Sequence, residues 1–416
     1  MPATRTILIL STYPIVEPKH GGQVRLLNIK KAYEKAGWDV VTIAVYPEES
    51  YSKAVAGDND IPFPAHSPYR FFEGRNIPFV TDLVTGNFAA AEDGAWPDLL
   101  KRLPARLDAI HVEQPWLWPA AVKLKTMPGY ASALMIYGSQ NIEEPLKRDI
   151  FRDFGVTAGD ALETLQSLEV EAARSADIAV AVTQEEVDVL KSWGVDEAVL
   201  VPNGIASWDA DPGALAEWRE KLPKYPWLLY VASAHPPNFT GLAQVFGSSL
   251  ACFPPQCRLV IAGGVTEHAY RVLNETRWSE LNLSRMQLLF TLSDRDLAAV
   301  KSLAHGFVLP IPFGGGSNIK TAEALYSGAY VVGTPQALRG FETFSDLHEV
   351  YIGQDVKGFQ KAIRNVLSLP PKMPLEKNSP PFERRRSLLW EVRLEQLTKV
   401  VENAMTKKVR SGQDLV

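Results

Sequence analysis

The chain has 416 residues, 46% of them hydrophobic, and a formal net charge of −5. That length exceeds one ordinary core and predicts two or three domains, while so small a net charge leaves no electrostatic footprint for a nucleic-acid partner. No apolar run reaches the length of a membrane span. The N-terminal run at residues 7–10 is too short for a signal peptide, and two cysteines, Cys252 and Cys257, read as ordinary thiols of a reducing compartment; a cytoplasmic location is expected.

The first half alternates strands and helices. Residues 7–10 form an apolar strand. Gly21 and Gly22 open a helix whose apolar positions Leu26, Ile29, Tyr33 and Ala36 follow helical spacing, and Gly37 ends it. Residues 40–45 are the next strand. Residues 48–97, rich in aromatics and proline, read as an irregular insertion with short elements. Strands follow at 108–113 and 133–137, the second running into Gly138, Ser139, Gln140 and Asn141. A helix at about 158–175 precedes a strand at 178–182, and residues 199–205 close this half.

A polar linker with a short helix, 206–226, precedes a second alternation. Strands are predicted at 228–231, 258–262 and 286–290, with Gly263 and Gly264 turning the second of them. Residues 307–312 form a buried strand that runs into Gly314, Gly315, Gly316, Ser317, Asn318, Ile319 and Lys320. Ile319, Ala322, Leu325 and Tyr326 have helical spacing, so three glycines stand where a strand turns into a helix, with Lys320 and Glu323 in its first two turns. After a Pro-rich segment at 370–381, Trp390, Leu394, Leu397 and Val401 define an amphipathic terminal helix. Two alternations of about 200 residues imply two doubly wound α/β domains, whose ligands bind beyond the carboxyl ends of the strands.

The turn at 314–320 has a chemical meaning. Backbone N–H groups at a helix N-terminus lack internal partners and favour an anion. Glycine lets that backbone approach a ligand, Lys320 adds a full charge, and Glu323 accepts from hydroxyls. The ligand so described carries both phosphate and hydroxyl groups. Tight packing alone is the competing explanation for the three glycines. The segment 314–321 also approaches a P-loop, but Ile319 stands where the last glycine belongs. The first strand runs into Ser11, Thr12, Tyr13 and Pro14 rather than a dinucleotide-binding G-x-G-x-x-G.

Taken in order, these motifs resemble family 4 glycosyltransferases of the GT-B fold, over nearly the whole chain apart from about residues 50–100. The carriers are Gly21-Gly22 with Arg25; Asn141-Ile142-Glu143; Ala176-Asp177 before a strand that ends at Thr183; Pro202-Asn203-Gly204-Ile205; Pro237-Asn238; Ala262-Gly263-Gly264; and residues 314–324. The resemblance implies two Rossmann-like domains facing a cleft: an acceptor domain at 1–205, a nucleotide-sugar donor domain at 206–385, and a terminal segment, 386–416, that packs back on the first domain. It implies transfer of a sugar from a UDP- or GDP-linked donor to a glycan or lipid-linked acceptor, with retention, without a metal or other cofactor, and in cell-surface polysaccharide assembly. Charge on the departing nucleoside diphosphate would then fall to helix ends and cationic side chains. The residues implicated in donor binding are Gly21, Gly22, Gly263, Gly264, Gly314, Gly315, Gly316, Ser317, Asn318, Lys320 and Glu323, with Glu323 on the ribose. Those implicated in catalysis are Glu113, Lys320 and Arg25.

The chain departs from the family pattern in three places. Gly315 stands where the first Glu of E-x7-E belongs. Ser233 and Asn238 occupy the region of the second domain's usual Arg and Lys, which leaves Lys320 as its cation. Glu113 takes the place of a strand-end His, with His111 expected on the opposite face. Trp116 and Trp118 are read either as a platform for an acceptor sugar or as packing at a strand end. Arg384, Arg385 and Arg386 are read either as a solvated helix face or as a contact with the inner face of a membrane. A sugar-nucleotide epimerase and a non-catalytic subunit of the same fold are the competing functions.

Overall fold

The computed structural model describes residues 4–234, 236–313, 317–372, 375–376 and 378–413. The chain divides into two compact units, one of Met1–Asn203 with Arg393–Val416, the other of Gly204–Val392.

The first unit is built on seven parallel strands: β1 (Thr6–Ser11), β2 (Asp39–Pro47), β3 (Ile61–Phe63), β4 (Ala109–Glu113), β5 (Leu134–Gly138), β6 (Ile178–Ala181) and β7 (Ala198–Leu200). Their order is β3-β2-β1-β4-β5-β6-β7. Helices cover both faces, so the central strands read as continuous apolar runs; every residue of β4, β5 and β6 is buried. The insertion at 48–97 is more ordered than its composition suggests. It supplies the edge strand β3 and the helix Thr81–Ala90, and it buries Phe63, Val84 and Phe88 against the core.

The second unit carries β8 (Trp227–Val231), β9 (Arg258–Ala262), β10 (Met286–Phe290), β11 (Gly306–Leu309), β12 (Tyr330–Gly333) and β13 (Val350–Ile352) in the order β10-β9-β8-β11-β12-β13, again all parallel. Two apolar clusters sandwich the sheet. One is centred on Leu259, Ile261 and Val308, the other on Leu229, Val260 and Val331, as the period-2 alternation of the strands requires.

The terminal helix is two pieces rather than one, Trp390–Arg393 and Glu395–Gln413. Just before the break, the Trp390 N–H donates to Ile205 O and the Ile205 N–H to Leu388 O, a parallel bridge that holds this stretch in the second unit. Glu395–Gln413 belongs to the first unit, where Leu397 and Val401 are fully buried and Lys408 Nζ donates to Ala133 O. Full burial of two such side chains contributes about 3–6 kcal/mol. No helix among the described residues is long and apolar enough to cross a membrane.

Candidate active site

In each unit the candidate residues gather at the carboxyl ends of the strands. In the first unit, β1 leads through a loop to the helix Gly21–Lys35, which starts with a capping box: the His20 ring accepts from the Gln23 N–H, and Gln23 Oε1 accepts from the His20 N–H. That box uses the Gln23 donor and leaves Gly21 exposed at the helix start. A Cβ at position 22 would lie 2.8 Å from Gln140 Oε1 and 2.9 Å from Tyr13 Oη. Close packing against those two side-chain ends thus accounts for glycine there, whatever it does toward a ligand.

One turn further, Arg25 lies inside the protein, 1% exposed. Its Nη1 donates to Val201 O at 3.0 Å and to Asn203 Oδ1 at 3.1 Å, and its Nε is 3.5 Å from Glu113 Oε2. Glu113, the last residue of β4, is equally buried. Gln140 Nε2 donates to Glu113 Oε2 at 2.7 Å and to Tyr13 Oη at 2.6 Å. Burial alone would raise the carboxyl's pKa. The opposing pull of Arg25, His111 and Gln140 prevails and holds Glu113 below the usual range, hence ionised.

His111 was expected on the opposite face of β4 from Glu113. Residues two apart on a strand share a face, and the structure shows it: His111 Nε2 is 3.1 Å from Glu113 Oε1, and its Nδ1 is 2.9 Å from Tyr33 Oη. Trp116 and Trp118 are both buried, and Trp118 Nε1 donates to Ser175 Oγ. They pack the core, so the sugar-platform alternative fails for want of an exposed ring.

In the second unit, β11 leads toward the helix Ile319–Ser327. Gly314, Gly315 and Gly316 lie outside the described residues. Asn318 holds the N-cap position, and its side chain makes no cap bond. Ser317 Oγ is buried with no hydrogen-bond partner among the described residues. Lys320 Nζ donates to Asn238 Oδ1 at 2.5 Å, while Asn238 Nδ2 donates to Ser233 O at 2.9 Å. The residues standing where the usual cations are missing thus hold Lys320 in place. Burial pushes the Lys320 amine down to about 8, against the opposing pull of Glu323.

Glu323 does not pair with Lys320 by hydrogen bond. Its Oε1 accepts from Lys301 Nζ at 2.7 Å, and Lys301 lies 5.0 Å from the centroid of the Trp208 ring. Sequence reasoning missed Lys301. It is 22 residues from Glu323, on the helix Asp294–Leu303, and no local spacing links the two. Gly263 and Gly264 turn the chain after β9, and a Cβ on either would strike the backbone of Ala232 or Ala234 at 2.4 and 2.9 Å.

The arginine run is largely committed within the second unit. Arg385, buried, pairs with Glu349 and donates to Leu325 O. Arg384 pairs with Asp346 and lies over the Phe344 ring, and Arg386 pairs with Glu383. Cys252 and Cys257 are buried free thiols. Among the described residues, no group of three His, Cys, Asp or Glu side chains is placed to hold a metal ion.

Solved structures align with the chain over almost its whole length. Sucrose-phosphate synthase from Thermosynechococcus elongatus matches at TM-score 0.65 and 17% identity, covering 97% of this chain and 100% of that one. The catalytic domain of starch synthase IV from Arabidopsis thaliana, bound to ADP and acarbose, matches at 0.61 and 14%, covering 98% and 100%. WaaG, a glycosyltransferase involved in lipopolysaccharide biosynthesis, matches at 0.57 and 13%, covering 96% and 98%. The fold is GT-B. No family model matches the sequence, and no curated protein does. The likeness is one of fold.

Proposed function

We propose that this protein is a glycosyltransferase that moves a sugar from a nucleoside-diphosphate sugar to a glycan or lipid-linked acceptor. The carrying observation is the start of the helix Ile319–Ser327. There a half-buried lysine, a Ser317 hydroxyl with no hydrogen-bond partner among the described residues and a helix N-terminus meet, one turn before the Glu323 carboxylate. N-terminal N–H groups and Lys320 suit a diphosphate. The Glu323 carboxylate suits a ribose hydroxyl, with Lys301 orienting it. The solved starch synthase IV, which carries ADP on the same fold, supports a nucleotide as the ligand.

In this reading the second unit, residues 204–392, holds the donor, and residues 1–203, completed by 393–416, hold the acceptor. Lys320 and the start of the helix Ile319–Ser327 take up the charge of the leaving diphosphate, so no metal is needed. Glu113 and Arg25 act on the acceptor side. Buried as they are, they act through neighbours: Glu113 fixes the amide of Gln140, and Arg25 fixes the segment after β7 at Val201 and Asn203. Transfer proceeds with retention, in the cytoplasm, within cell-surface polysaccharide assembly, and contact with the inner membrane face is left to the half-buried Arg384 and the exposed Arg386.

The burial of Glu113 and Arg25 also favours a second reading, a non-catalytic subunit that keeps the donor site. A thermal-shift panel of UDP-, GDP- and ADP-linked sugars tests the donor site itself, because a ligand that binds only the folded state raises the melting temperature by mass action. At least one donor is expected to raise it in a saturable way. No shift with any of them would sink the proposal.

A further inference from the structure

Glu323 has a choice of cations in the second unit. On the helix Ile319–Ser327 it follows Lys320 by three positions, and residues so spaced share a helix face and form ion pairs along it. The structure does not use that pair. Glu323 Oε1 accepts instead from Lys301 Nζ at 2.7 Å, and Lys320 Nζ donates to Asn238 Oδ1 at 2.5 Å. Lys301 stands on another helix, Asp294–Leu303, and is only 7% exposed. A buried ammonium is costly unless it is paired, and Lys301 is held from two sides. Its Nζ lies 5.0 Å from the centroid of the Trp208 ring, whose face attracts a cation. The same ring meets Tyr326 edge-on at 4.9 Å between centroids, and Tyr326 belongs to the helix that carries Glu323. The indole thus braces the ammonium against the helix of its own carboxylate.

We propose that Lys301 is a positioning residue that holds the Glu323 carboxylate away from Lys320 and so keeps the charge of Lys320 available for a diphosphate. This rests on the donor reading of the second unit given above. Lys301 contacts neither phosphate nor ribose in this arrangement; it acts by engaging the carboxylate. Without it, Glu323 keeps its charge and turns to the cation on its own helix face, which is Lys320. An ammonium paired in that way has less to offer a diphosphate, and a carboxylate turned toward Lys320 is turned away from a ribose. The two groups already sense each other, because Glu323 pulls the Lys320 amine up against the burial that lowers it. A single substitution at position 301 therefore damages phosphate binding and ribose recognition together.

The test uses the full chain as wild type, as Lys301→Met, and as Lys301→Met combined with Glu323→Gln. Calorimetry measures binding of inorganic pyrophosphate, of UDP, GDP and ADP, and of the 2′-deoxy form of whichever nucleotide wild type binds best. The melting temperature of each protein is recorded. Lys301→Met is expected to bind pyrophosphate at least about five-fold more weakly, part of the charge-assisted hydrogen bond that Lys320 supplies. It should also lose the preference for the ribonucleotide. The combined variant has no carboxylate at position 323 to occupy Lys320. Its pyrophosphate affinity should return to within about two-fold of wild type, the two substitutions being coupled rather than additive, while the ribose preference stays absent. Unchanged pyrophosphate affinity in Lys301→Met overturns the proposal. So does a loss that the combined variant fails to recover, which marks a disturbed fold. A loss that leaves the ribose preference intact overturns it too, since that marks a general effect of net charge. Wild type that binds none of the three nucleotides overturns the donor reading and the proposal with it.

Discussion

Replacing Glu113 by glutamine keeps the shape of the side chain and removes its charge from a place where that charge has a partner. The Glu113 and Arg25 side chains are 0% and 1% exposed, and Arg25 remains tied to Val201 O and Asn203 Oδ1 when Glu113 is neutralised. The guanidinium therefore stays inside without its counter-ion. Breaking a buried pair from one side costs about 3–5 kcal/mol, and a glutamine that still bonds Gln140 places the loss near the lower figure. For a unit of this size each kcal/mol moves the melting temperature by about 2–4 °C, so a fall of roughly 6–12 °C is expected. Removing both charges, in Arg25→Met with Glu113→Gln, should recover most of that loss, because neither member is then left unpaired. The pH dependence follows from the depressed pKa of Glu113. Its stabilisation is full above the unfolded carboxyl pKa of about 4.3 and is lost as pH falls through the lower folded value. The wild-type advantage over Glu113→Gln should therefore hold from pH 5 to 7 and shrink below about pH 4. Calorimetric melts and denaturant titrations across that range measure it. A single variant within about 0.5 kcal/mol of wild type, or a double variant whose loss is the sum of the singles, would refute the coupled pair.

Lys320→Ala should weaken nucleoside diphosphate binding by about 1.5–3 kcal/mol, one charge-assisted hydrogen bond, and nucleoside binding hardly at all; equal losses would remove Lys320 from the phosphates. With its amine at about 8 in the free protein, an arriving anion favours the charged form, so binding takes up a proton. Wild-type affinity should fall as pH rises through about 8 and Lys320→Ala should lack that slope, as titrations in buffers of different ionisation enthalpy would show. Glu323→Ala should erase the preference of wild type for ribo- over deoxyribonucleotide donors, and a preference that survives would return Glu323 to its ion pair with Lys301. Turnover is expected to persist in EDTA; complete loss restored by magnesium or manganese would replace the helix ends and Lys320 with a metal as the source of charge stabilisation.

Much of the second unit is legible in the sequence because its signals are local. Apolar runs beside glycines give β9 and β11, and a glycine-rich turn before Ile319, Ala322 and Leu325 gives the helix that places Lys320 and Glu323. What escaped is non-local. Nothing in the spacing brings Lys301 to Glu323, or Asn238 to Lys320 across 82 residues. The burial of Trp116 and Trp118 is set by the helices that cover β4 and β5, which the strand pattern does not describe. His111 is a different kind of miss. The two-residue period of a strand already places it beside Glu113, so that contact was available from the sequence.

The central claim is that a sugar leaves a nucleoside diphosphate on this protein and arrives on an acceptor. The most direct measurement incubates the full chain with the donor that gives the largest thermal shift and a pool of glycan and lipid-linked acceptors. Released nucleoside diphosphate is quantified, and the new anomeric centre is read by NMR. The account predicts release that depends on acceptor and a product whose anomeric configuration matches the donor's. Saturable donor binding without release under any acceptor, or an isomerised sugar nucleotide formed with no acceptor present, would contradict it.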